Sequence, residues 1–242
     1  SSAPPAVCDG ERVVFTNASG TIACYDMEGY VQWKRVIFTV GRTLPFLIDG
    51  KFVFTRQIYT PDAVGHFTHE NKDAPLEKWT QLHALDMETG QDVWTSTCGL
   101  NMGCVILPQK LSDGRAVALV GRGGGHGPPE KPEGVSLVDL SDGSTLWTLP
   151  LEGFMATQSN SIRNDRVSVF HKSLHLTIDA KTGVIEREVS ITDDVRVRAR
   201  NGNEWQDRTV TLVANKNRMI TQGSNLLVGK YDYFRSYTSP YL

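Results

Sequence analysis

The chain has 242 residues with 25 basic and 27 acidic side chains, a formal charge of −2. So even a balance argues against a nucleic-acid surface built on bulk charge, and no apolar run approaches the ~18 residues of a membrane span. The length suits one large all-β domain or two ordinary ones.

Helical periodicity is hard to find, while short alternating apolar runs separated by Asp-Gly and Asn-containing turns are common, so an all-β fold is expected. Residues 4–36 read as a first unit, with strands at 5–8, 12–16, 21–26 and 30–36 and a turn at Asp9-Gly10. Residues 41–98 repeat the plan with strands at 44–48, 52–56, 81–86 and 92–97. Between its second and third strands lies an irregular insertion, 57–80, that carries His66 and His69. Residues 101–150 form a third unit, with strands at 104–109, 116–121 and 134–139 and a last strand ending at 148. Its insertion, 121–133, holds the Gly-rich run from Arg122 to His126. The shortest unit is 154–190, with strands near 157–162, 166–171, 173–179 and 184–190. An irregular Arg-rich link is expected over 191–208, and a fifth, partial unit over 209–242, with strands at 209–214, 218–221 and 225–232. Long irregular insertions of this kind are usually functional or disordered.

A motif recurs at the end of each unit. Asp26, Gly29 and Trp33 form one copy, Asp86, Gly90 and Trp94 the second, and Asp139, Gly143 and Trp147 the third. Asp179 and Gly183 form a fourth, with Arg187 where Trp is expected. In every copy the aromatic, or its substitute, stands four residues after the glycine. Asp accepts hydrogen bonds from backbone N–H groups two or three residues on, Gly supplies a positive φ, and Trp gives a large apolar plate. Listed singly, the four aspartates look like catalytic carboxylates. Their repeated place in a turn makes them structural. The spacing, less the insertions, leaves a unit of about 40 residues, the size of a four-stranded blade.

Ala84-x-Asp86-x-x-Thr89-Gly90-x-x-x-Trp94 resembles the tryptophan-docking repeat of the pyrroloquinoline-quinone-like β-propellers, the superfamily of quinoprotein alcohol dehydrogenases and of BamB-like assembly lipoproteins. The resemblance implies a β-propeller of four-stranded antiparallel blades. About four to five blades fit in this chain, which is expected to be part of a larger propeller. It also implies that each docking Trp packs between neighbouring blades, and that Arg187 marks a looser contact. The family's quinone enzymes carry adjacent cysteines and a calcium set of Glu, Asn and Asp. This chain has no Cys-Cys pair and no assignable calcium set, so pyrroloquinoline quinone with Ca²⁺ is kept as the alternative and no cofactor or metal is expected.

In such a meander the connections between strands two and three, and those between blades, leave at one end, and the Asp-Gly turns lie at the other. The segments 57–80, 121–133 and 191–208 therefore share one end, the first place to look for a binding surface. Candidate ligand contacts there are Arg122, His126, His66 and His69, with Arg196, Arg198 and Arg200, which alternate and would point one way on an extended chain. His66 and His69 lack an identifiable third metal ligand, and the run after Arg122 lacks the Lys-Ser/Thr of a P-loop. His171 and His175 sit in expected strands and read as structural. Of the four cysteines, Cys98 and Cys104 bracket a short loop that a disulfide could close in an exported protein, with Cys8–Cys24 a weaker pair. The other reading is four thiols serving as small apolar residues. The opening Ser1–Pro5 reads as the start of a mature or trimmed chain. The expectation is a non-catalytic, periplasmic or extracellular scaffold for a protein or glycan, with no nucleic-acid partner and no membrane span. A dehydrogenase-like oxidoreductase, or a fragment of one, is the alternative.

Overall fold

The computed structural model describes residues 5–17, 20–37, 44–57, 80–101, 104, 106–122, 131–154, 162–171, 174–190, 196–201, 203–209, 219–228 and 231–237. Every regular element among them is a strand. Blade one is β1 (Val7–Cys8), β2 (Arg12–Thr16), β3 (Thr21–Asp26) and β4 (Val31–Val36), paired in that order. Blade two is β5 (Phe46–Ile48), β6 (Lys51–Gln57), β7 (Thr80–Asp86) and β8 (Asp92–Thr95). Blade three is β9 (Pro108–Lys110), β10 (Ala116–Arg122), β11 (Gly134–Asp139) and β12 (Thr145–Pro150). All these pairings are antiparallel, including β6–β7 and β10–β11 across the long connections.

The fourth sheet departs from the expected plan. It holds β13 (Ile162–Arg163), β14 (Arg166–His171), β15 (Leu174–Asp179) and β16 (Ile185–Ser190), and continues into β17 (Arg196–Asn201) and β18 (Glu204–Thr209). The irregular link expected over 191–208 is thus corrected: most of it is a hairpin whose first strand pairs with β16, from Arg187↔Ala199 to Ser190↔Arg196. The reason is legible in its side chains, which alternate as Arg196-Val197-Arg198-Ala199-Arg200 with the period of a strand. The last sheet is the hairpin of β19 (Met219–Val228) and β20 (Tyr231–Tyr237). The single strand expected at 225–232 is likewise corrected, because the chain reverses between Val228 and Tyr231.

The core is a series of seams between blades. In β6 the alternation sends Phe52 and Phe54 towards blade one, to pack with Val14, Cys24 and Trp33. Val53 goes the other way, with Leu82 and Ala84, into the larger cluster that runs through blades three and four. Strands covered on both faces need no polar side, and β10 is buried along its whole length. Each blade also has one register shift between its third and fourth strands, just before the Asp turn: at Cys24/Tyr25, Ala84/Leu85, Leu137/Val138 and Thr177/Ile178. This bulge lets the strand twist so that the docking position faces the next blade.

Candidate functional site

The two ends of the blades differ in what they are made of. At the turn end, Asp86 Oδ1 accepts from the backbone N–H and the hydroxyl of Thr89 (2.7 and 2.8 Å). Asp179 does the same with Thr182, at 2.8 Å each. These bonds hold the Asp86 carboxyl below its ordinary range, the Thr89 hydroxyl contributing most. All four motif aspartates serve turns: Asp139 Oδ1 accepts from the Ser141 N–H, and Asp26 Oδ1 from that of Tyr30. The residue after the Asp ties this turn to the first turn of its own blade, as in Met87 N to Gly50 O (2.9 Å) and Ala180 N to Asp165 O (2.7 Å).

Tryptophan docking follows directly. A Cβ placed on Gly90 would lie 2.6 Å from the Trp33 ring, one on Gly143 2.7 Å from Trp94, and one on Gly183 2.7 Å from Trp147. Each indole therefore rests on the bare Cα of the next blade's turn glycine. Trp33 Nε1 also donates to Met87 O (3.0 Å), and Trp147 Nε1 to Ala180 O (2.7 Å).

At the opposite end, where the two-to-three connections leave, the described residues centre on Arg122. Its side chain is buried. Nε donates to Pro132 O (2.8 Å), Nη1 to Gly99 O (3.0 Å), and Nη2 to Lys131 O. The guanidinium thus clamps the base of the 123–130 connection and ties it to the exit from blade two. Asn101 N donates to Gly121 O (2.8 Å) beside it, and Gly121 N donates to Cys104 Sγ (3.1 Å). Glu133 closes the rim, accepting from Lys131 Nζ (2.8 Å) and Gly153 N (2.6 Å).

Several sequence expectations meet this geometry. The Cys98–Cys104 disulfide is corrected: all four cysteines carry thiols. Both side chains are buried, and burial pushes the Cys104 thiol up to about 11. They behave as small apolar residues, with Cys104 Sγ also serving as an acceptor for the loop end. His66, His69 and His126 lie outside the described residues. Arg196, Arg198 and Arg200 lie at alternate positions of β17, opposite Thr209, Asp207 and Trp205 of β18. Arg122 is bonded to three backbone carbonyls.

Two polar networks were not read from the sequence. His83, buried in β7, bonds through Nδ1 to Thr95 Oγ1 (2.7 Å) and through Nε2 to Asp92 Oδ1 (2.6 Å). Burial pushes the imidazole down, and the Asp92 carboxylate partly opposes this. Asp92 also pairs with Arg35 of blade one (2.9 Å), whose Nη1 donates to Gly90 O (2.7 Å). The row of hydroxyl, imidazole and carboxylate has the atom types of a nucleophile relay. Its carboxylate is shared with an inter-blade ion pair, which makes it a staple between blades one and two. The second network joins blades three and four. Asp165 accepts from Ser112 N (2.7 Å) and the Ser112 hydroxyl, and pairs with Lys181 (2.7 Å). The signal for both was cross-strand position around a turn, which needs the bulged register to be read.

No family model matches the sequence, and no curated protein matches it. Solved structures do match. A europium-containing methanol dehydrogenase aligns over 78% of this chain and 42% of its own, at 11% identity and a TM-score of 0.51. This is a β-propeller fold. BamB from Moraxella catarrhalis covers 96% of this chain and 69% of its own at 16% identity, with a TM-score of 0.47. A quinohemoprotein alcohol dehydrogenase from Pseudomonas putida covers 78% and 34% at 14% identity, with a TM-score of 0.45. Identities this low establish the propeller architecture alone. The chain spans less than half the length of either dehydrogenase. Among the described residues of the propeller, no three His, Cys, Asp or Glu side chains converge on one point.

Proposed function

We propose that this propeller is a non-catalytic, exported scaffold that binds a protein partner on the end carrying the 57–80 and 121–133 connections. Arg122 carries the reading. Burying a guanidinium is costly unless its donors are directed at acceptors, and here three of them hold carbonyls of Gly99, Lys131 and Pro132 at the base of the 123–130 connection. A connection held in this way suits recognition, because less ordering is left to be done on binding. His66, His69 and His126, with Arg196, Arg198 and Arg200 of β17, are the proposed contacts. Alternating arginines on one strand face suit partner carboxylates.

The test places photo-crosslinking residues at positions 66 and 126 and, on the turn end, at 88 and 142. A partner recovered through the first pair is then purified and titrated. Replacing residues 123–130 by a short Gly-Ser turn is expected to weaken that pair at least tenfold, and Arg122→Met to do the same while the fold persists. Unchanged affinity in both variants overturns the assignment of the face. Reduction of a dye by the chain with pyrroloquinoline quinone and Ca²⁺ overturns the non-catalytic reading.

A further inference from the structure

His83 is an ionisable group at a place where the repeat needs none. The register sets it opposite Thr95. The matching position is Ala23 in blade one, opposite Lys34, Ser136 in blade three, opposite Thr148, and Leu176 in blade four, opposite Glu188. In blade three two hydroxyls, Ser136 and Thr148, join at 2.8 Å and close the same cross-strand pair with no titratable atom. Blade two carries an imidazole there instead. Its side chain is 4% exposed, and the Phe54 ring meets it edge-on with 5.3 Å between centroids.

Both ring nitrogens are engaged because of the bulge. Asp92 and Thr95 are three residues apart on β8, and on a regular strand they would face opposite ways. The register shift at Ala84/Leu85 turns both towards His83. Hydrogen bonding from Arg35, the largest influence, holds the Asp92 carboxyl below its ordinary range, so that it accepts and does not donate. The 2.6 Å bond to Asp92 therefore assigns the imidazole proton to Nε2, and Nδ1 accepts from the Thr95 hydroxyl. A second proton has only Nδ1 to bind, against that hydroxyl hydrogen. Among the described residues the charged groups that bear on the ring are Asp92 of β8, Arg56 of β6 and Arg35 of β4. An imidazolium would make three cations around one carboxylate, with one of them shut away from water. The closed seam fits the neutral ring and opposes the charged one.

We propose that His83 is a proton-operated latch on the seam between blades one and two, closed while the imidazole is neutral and loosened when it takes up a proton. The proton comes from solvent and binds Nδ1. The Thr95 hydroxyl then turns away, and Asp92 is divided between the imidazolium and Arg35, its ionic partner across the seam. Burial, the main influence, sets the folded-state value of His83 below its ordinary one. The closed seam thus binds fewer protons than the open one. Its stability is full above the unfolded value, near 6.5, and falls as pH drops through that value towards the folded one. β7 begins at Thr80, where the 57–80 connection ends, three residues before His83. On the reading that this connection contacts a partner, acid loosens the strand that carries it.

The test follows hydrogen exchange of the 242-residue chain at pH 7.5 and 5.5, corrected for the intrinsic effect of pH, and needs no partner, so its failure is separate from failure of the loop-end face. Opening of the seam, followed at residues 31–36 and 82–85, is expected to rise by up to about tenfold, the limit for one proton taken up on opening. Residues 135–139 and 145–149 of blade three are the internal control and are expected to change less than about twofold. No rise at the seam, or an equal rise in both places, overturns the proposal. His83→Gln, whose amide N–H donates to Asp92 in place of Nε2 but takes up no proton, is expected to remove the rise, and a rise that persists in it overturns the proposal. Nitrogen NMR of the imidazole in the unaltered chain is a second measurement that needs no variant. A neutral Nε2–H ring at pH 7 that titrates below about 6.5 is expected, and a ring that titrates above that value overturns the latch.

Discussion

Blade one and blade three are built from the same repeat and meet different surroundings. In blade three, β10 is buried on both faces and Gly143 lies under Trp94. In blade one, β2 alternates, with Val14 buried and Phe15 half exposed, and Gly29 is open. The motif is therefore two half-sites rather than one module: Asp and Gly form a cradle for the blade before, and Trp a plate for the blade after. A blade's stability is set largely by what lies on either side of it.

The sharpest way to break the comparison is to add a methyl group to each glycine. Gly90→Ala is expected to destabilise by roughly 2–5 kcal/mol, from the left-handed backbone and the clash with Trp33 together. Gly29→Ala, at φ 91° but with open space around it, is expected to cost only about 1–2 kcal/mol. Urea denaturation of both variants measures the gap, and equal losses would mean that the indole is not seated on Gly90. The next test separates plate from donor. Trp147→Phe removes the bond to Ala180 O and is expected to cost about 1 kcal/mol more than Trp94→Phe. Trp94 Nε1 is buried with no partner among the described residues, so Phe there loses packing area only.

The smallest effect concerns acid. The Lys181 ammonium, then the Ser112 hydroxyl and N–H, hold Asp165 down to about 2. A carboxylate depressed in the folded state adds stability that is fully present above its unfolded value, near 3.9. That contribution is lost as pH falls through the folded value. Between pH 4 and 2 the seam between blades three and four is therefore expected to weaken, and Asp165→Asn to flatten that part of the stability curve. An unchanged acid limb in Asp165→Asn would assign the acid sensitivity to other carboxylates.

Much of the fold was legible because turn chemistry is local. Asp, Thr and Gly at fixed offsets close the same turn wherever they occur, and strand alternation then places the sheets. The strand β17 was legible too, in the alternation of Arg196 to Arg200, but the density of charge masked it as a linker. Arg122 was read as part of the 121–133 connection, and it is the last residue of β10. Its role was not readable, because carbonyls of Gly99, Lys131 and Pro132 carry no side-chain signature. The same holds for Cys98 and Cys104: their spacing permits a ring, and only packing decides that both stay thiols.

By itself the sequence determined the repeat, the all-β class, the turns and the end at which the long connections leave, since each depends on contacts within a few residues. Only the tertiary structure decided that Trp33, Trp94 and Trp147 are each seated on the next glycine and that Arg122 is spent on carbonyls. Those facts depend on which blade stands beside which. A local pattern repeated in every blade cannot say what covers its glycine.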